Sequence, residues 1–77
     1  MLEQIIEILK TVREDVDYTK ETALIDSGIF DSFDVVGLVS ELKDAFDIDI
    51  GIDDLTPENF NSAQSILAMV ERLQDAD

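Results

Sequence analysis

Asp31-Ser32-Phe33-Asp34-Val35-Val36-Gly37-Leu38-Val39-Ser40-Glu41-Leu42-Lys43-Asp44-Ala45-Phe46 is the stretch whose reading decides the fold. Val35, Leu38, Val39, Leu42 and Phe46 recur at spacings of three and four, which places them on one face of a helix. The pattern predicts a helix from about Ser32 to Phe46. Asp31 is its expected N-cap, and Asp34 in the first turn suits the positive end of the helix dipole. Upstream, Asp26, Ser27 and Gly28 are turn-forming residues. Ser32 therefore stands where a loop becomes a helix. An exposed serine there can carry a phosphate ester, because a helix N-terminus offers free backbone N–H groups and a partial positive charge. A second pair, Asp26-Ser27, is followed by Gly28 and by no periodic helix, and reads as a turn. Gly37 inside the helix costs about 1 kcal/mol relative to alanine, which implies either close approach of another group or simple tolerance.

Working outward, Leu2, Ile5, Ile6, Leu9, Val12 and Val16 mark one face of a first helix that should fade near Asp17. Glu3 and Glu7 fall early in it, and Lys10 and Arg13 late, as the dipole favours. Residues 17–31 form a long connection, of a length that is uncommon without a functional reason. Leu24, Ile25, Ile29 and Phe30 are apolar enough to pin it to the core. Beyond the second helix, Ile48, Ile50 and Ile52 alternate with Asp49, Gly51 and Asp53. A lone short strand would have no partner, so this reads as an extended linker whose isoleucines dock on the core. The segment 53–60 has room for one helical turn or a short helix. The last helix should start near Asn61 or Ser62, where Asn61 and Gln64 resemble a capping box. Its apolar face is Ala63, Ile66, Leu67, Val70 and Leu73. The expected fold is all-α: a single domain over residues 1–77, a small up-and-down bundle of three main helices plus one short helix, with a long loop between helices one and two.

Composition narrows the function. Seventy-seven residues at 45% hydrophobic suffice for one small core, but not for a core and a deep active-site cavity together. The chain has no cysteine and no histidine. That removes disulfides, a thiol nucleophile, the commonest general base and the commonest transition-metal ligand. Ser27, Ser40, Ser62 and Ser65 have no histidine to activate them. The net charge of −14 repels nucleic acid and anionic lipid and should attract basic protein surfaces. The first residues lack the basic start of a signal peptide, and no apolar run approaches the roughly 20 residues needed to span a bilayer. A cytoplasmic monomer without membrane insertion is the expectation.

Gly28-Ile29-Phe30-Asp31-Ser32-Phe33-Asp34, followed by Val36, Leu38-Val39, Leu42 and Phe46, resembles the acyl carrier protein family. The family signature is Asp-Ser-Leu at the start of the second helix, often followed by an Asp and a Val-x-Leu-Val pattern. The resemblance covers nearly the whole chain in length, charge and order of helices. It implies a 4′-phosphopantetheine arm, derived from coenzyme A, on Ser32 beside Asp31. The terminal thiol of the arm holds acyl or aminoacyl intermediates as thioesters. The chain itself would be a substrate and not an enzyme. Implied partners are a phosphopantetheinyl transferase, an acyl- or aminoacyl-loading ligase or transferase, and downstream synthases with basic docking patches. Phe33, Asp34, Val36, Glu41 and Asp44 are the implied docking residues. Fatty acid, lipid or specialised metabolite synthesis is the implied setting.

The chain departs from the family pattern at several positions. Phe33 stands where Leu is usual, Gly37-Leu38-Val39-Ser40 where fatty-acid carriers show Glu-Leu-Val-Met, and Lys43 where an acid is usual. These changes leave attachment at Ser32 undisturbed but point away from the usual fatty-acid enzymes. Asp-Ser-Phe is also similar to D-alanyl carrier proteins and to some stand-alone carriers of secondary metabolism, so a D-alanyl-type or other aminoacyl carrier is the alternative. An unmodified acidic protein-interaction module is the alternative from another class. The window from Asp47 to Glu58 fails as a calcium loop, because glycine falls at the fifth position and Pro57 interrupts the exit.

Overall fold

The computed structural model describes residues 2–75. It contains helix α1 (Leu2–Val12), helix α2 (Ser32–Phe46), a 3₁₀ turn (Ile52–Asp54), the short helix α3 (Pro57–Phe60) and helix α4 (Ala63–Asp75). The described residues hold no strand, and the all-α bundle of three main helices plus one short helix is the architecture observed. α1 packs against α2 and α4, and α3 packs against α4. Ile5 and Leu9 of α1, Leu38 and Leu42 of α2, and Ile66, Met69 and Val70 of α4 meet in the core. The loop between α1 and α2 adds Tyr18, Leu24 and Phe30, all buried.

α1 ends at Val12, short of the expected fading near Asp17. The reason lies in Tyr18. The single proton of its hydroxyl is shared between the carbonyls of Leu9, at 3.0 Å, and Arg13. The Arg13 carbonyl is thereby satisfied by a side chain in place of the next turn's amide, so the helix can stop. The Tyr18 ring also meets Phe30 edge to face, with centroids 6.2 Å apart. Burial pushes the Tyr18 hydroxyl up from its ordinary 10.0 to about 12, with the Asp15 carboxylate acting in the same direction.

α2 starts at Ser32 and ends at Phe46, as its periodicity predicts. Asp31 is the N-cap, and Asp34 completes a reciprocal capping box. The Asp34 amide donates to Asp31 Oδ1 at 3.0 Å, and the Asp31 amide donates to Asp34 Oδ2 at 3.3 Å. At its other end Asp47 caps the helix in the left-handed region, with φ of 52°.

Two further expectations are corrected. Ile48 is buried and Ile50 packs against the core, but Ile52 is 87% exposed in the 3₁₀ turn. Period two fails there because the turn rotates the third isoleucine outward. The start of α4 is capped by Ser62, whose Oγ accepts the Ser65 amide at 3.0 Å, and not by Asn61 with Gln64. Asn61 instead turns its side chain to the α1–α2 loop. Its Oδ1 accepts from the amides of Ile25 and Asp26 at 3.0 and 3.1 Å.

Candidate functional site

Ser32 occupies the first position of α2, where its own amide and that of Phe33 precede the intrahelical ladder and have no intrahelical acceptor. The side chain is exposed. The flanking carboxylates are already engaged: Asp31 accepts from the Asp34 amide, and Asp34 accepts from the Asp31 amide. Arg13 Nη1 lies 3.8 Å from Asp34 Oδ2 and partly neutralises that carboxylate. The helix end at Ser32 is thus held in shape by reciprocal bonds between Asp31 and Asp34.

An open cleft begins at Ser32, lined by Ile25, Phe30, Asp31, Val35, Val36 and Leu55. It adjoins a half-open cavity of about 160 Å³ lined by Ile25, Val35, Leu55, Thr56, Pro57 and Phe60. Ile25, Val35 and Leu55 line both parts, so the serine opens directly onto apolar surface. One wall comes from the loop before α2, one from α2, and one from the 3₁₀–α3 segment.

The structure brings Ser32, Asp31 and Val36 together at the mouth of this cleft. Phe33 is 88% exposed and Val36 is 68% exposed. Glu41 and Asp44 are exposed farther along α2. At helical spacing, Phe33, Val36, Gly37, Ser40 and Asp44 share one outer face, with Glu41 at its edge. A Cβ built on Gly37 would meet nothing within 4 Å, so no part of the described chain requires a glycine there. Asp34 differs from the other acids of this helix, because its carboxylate is turned into the capping box. Two exposed apolar residues were missed by the sequence pattern. Leu55 lines the cleft, and Ile52 stands exposed in the 3₁₀ turn just before that residue. They sit in irregular backbone, where side-chain direction cannot be read from a period.

Residues 1–73 match the family described as the phosphopantetheine attachment site. The chain is 37% identical to the D-alanyl carrier protein of Lactococcus lactis subsp. lactis strain IL1403, over 97% of this chain and 98% of that protein. It is 31% identical to the D-alanyl carrier protein of Staphylococcus xylosus, over 94% of this chain and 95% of that one. A third relative of the same name, from Streptococcus uberis strain ATCC BAA-854 / 0140J, is 36% identical over 82% of this chain and 80% of its own length.

Proposed function

The chain belongs to the phosphopantetheine attachment family, as a carrier protein whose cofactor is 4′-phosphopantetheine, and we propose that Ser32 is the residue that receives the arm. The single observation that supports Ser32 is an exposed hydroxyl on the first residue of a capped helix, at the mouth of an apolar cleft. The residues present fit the group. A phosphodiester on Ser32 suits the uncommitted amides and positive end of α2. The cleft walls of Ile25, Val35, Val36 and Leu55 suit the less polar length of an arm. When attached, the arm supplies a flexible tether ending in a thiol, a group this chain does not contain.

The chain's own residues hold and present. The reciprocal Asp31–Asp34 bonds fix the helix end, and Phe30 anchors the preceding loop in the core. We read the chain as a substrate of its partners and not as a catalyst, since it has no histidine to activate the serine. A phosphopantetheinyl transferase would supply the base and metal, and a loading ligase or transferase the cargo. Residues 1–77 act in this reading as one carrier domain and as a monomer. The use of coenzyme A as arm donor goes with a cytoplasmic location. Among the described residues no helix is long and apolar enough to cross a membrane.

Phe33, Val36, Glu41 and Asp44 form the docking face in this reading, with Leu55 across the cleft. An apolar spot within an acidic surface fits enzymes that carry a basic rim around an apolar seat. Asp34 supports that face through the capping box and the Arg13 pair.

The relatives' name points to the cargo: a D-alanyl group, a small aminoacyl unit, in place of a fatty acyl chain. The arm-bearing protein, given ATP, D-alanine and a D-alanine-activating ligase from one of the relatives' organisms, should gain the mass of one alanyl group. Loading by a fatty-acyl ligase, with none by the D-alanine ligase, would overturn the assignment of cargo.

A further inference from the structure

Asn61 stands in the turn between α3 and α4, yet its polar atoms serve a segment far away in sequence. Its Oδ1 accepts the amides of Ile25 and Asp26, its Nδ2 donates to Asp26 Oδ2 at 3.1 Å, and its carbonyl accepts the Leu24 amide at 2.9 Å. The Leu24 carbonyl in turn accepts the Phe30 amide at 3.0 Å, closing the segment from Leu24 to Phe30 into a small loop tied at its neck. Phe30 directly precedes the N-cap Asp31 and then Ser32. Ile25, the first residue past the neck, lines the cleft at Ser32 and the adjoining cavity. On the other side of that cavity stand Pro57 and Phe60 of α3, which leads into Asn61. One side chain thus joins the loop wall of the cleft to the α3 wall.

We propose that Asn61 is a positioning residue for arm attachment: its amide latches the loop beside Ser32 to the α3–α4 turn, so that the surface met by the transferase is already in place. This rests on the assignment of Ser32 made above. A released loop must be ordered each time an enzyme closes over Ser32, and that ordering weakens association without altering the hydroxyl. The polarity of the latch is specific. Asparagine offers an acceptor to two amides and a donor to the Asp26 carboxylate. Aspartate at 61 keeps the acceptor but sets a second carboxylate against Asp26.

The test compares wild type, Asn61→Asp, Asn61→Ala, and Asn61→Asp combined with Asp26→Asn. The double substitution restores a donor–acceptor pair with its direction reversed. The first readout is amide hydrogen exchange at Ile25 and Asp26 in the unmodified protein, which needs no transferase. The second is steady-state arm transfer from coenzyme A by a broad-specificity phosphopantetheinyl transferase. Asn61→Asp should speed exchange at those two amides and raise KM by about five- to tenfold with kcat within about twofold. The double variant should recover both. Unchanged exchange both in Asn61→Asp and in Asn61→Ala, which removes the acceptor altogether, would overturn the latch. Faster exchange with unchanged KM, or a fall in kcat alone, would overturn its role in attachment. Failure of wild type to accept any arm would instead sink the assignment of Ser32, while the exchange data would still decide the latch.

Discussion

Tyr18 shows how much one side chain can settle. It closes α1, packs edge to face on Phe30, and so links the end of the first helix to the segment that delivers Ser32. Tyr18→Phe leaves two carbonyls without that donor and should lower stability by about 1–3 kcal/mol near neutral pH. The same hydroxyl sets an alkaline limit. Its folded-state value, pushed up to about 12, lies above the unfolded value of 10.0. Below pH 10 the group is protonated in both states and its contribution is complete. Between pH 10 and 12 the unfolded chain loses the proton first, so stability falls across that window. Urea midpoints of wild type and Tyr18→Phe should therefore converge as pH rises through it. A gap that stays constant would contradict the role given to the hydroxyl. Tyr18 was not legible in the sequence, because a lone aromatic in a loop carries no period.

At the scale of elements, periodicity located what packing decides. α2 lies where its apolar stripe placed it, and the N-cap at Asp31 follows from side-chain chemistry that is local. The candidate site was legible for the same reason, since Ser32 is defined by where a helix begins. Ile52, Leu55 and Asn61 were not, because their roles depend on contacts across the chain and on irregular backbone. Gly37 belongs to this scale too. It lies inside α2 with nothing of the described chain near its missing side chain. Gly37→Ala should raise stability by up to about 1 kcal/mol, read as a higher urea midpoint at constant slope. Destabilisation would mean that the glycine serves the fold.

The whole molecule is held under strong self-repulsion. Nineteen acids face five bases, and the ion pairs Arg13–Asp15, Arg13–Asp34 and Arg72–Asp54 all span 3.8 Å at partly exposed sites. Such pairs add little, so screening should help more than it costs. Mildly acidic pH or millimolar magnesium should each raise the thermal midpoint. A flat midpoint across those conditions would show that net charge does not limit stability. The same charge fits the proposed docking to enzymes with basic surfaces. That account depends on Ser32. The most direct measurement is intact mass before and after incubation with coenzyme A and a broad-specificity phosphopantetheinyl transferase, with Ser32→Ala alongside. A single added arm on wild type and none on the folded variant is the expected result. An arm on Ser32→Ala, or no arm on wild type with an active transferase, would contradict it.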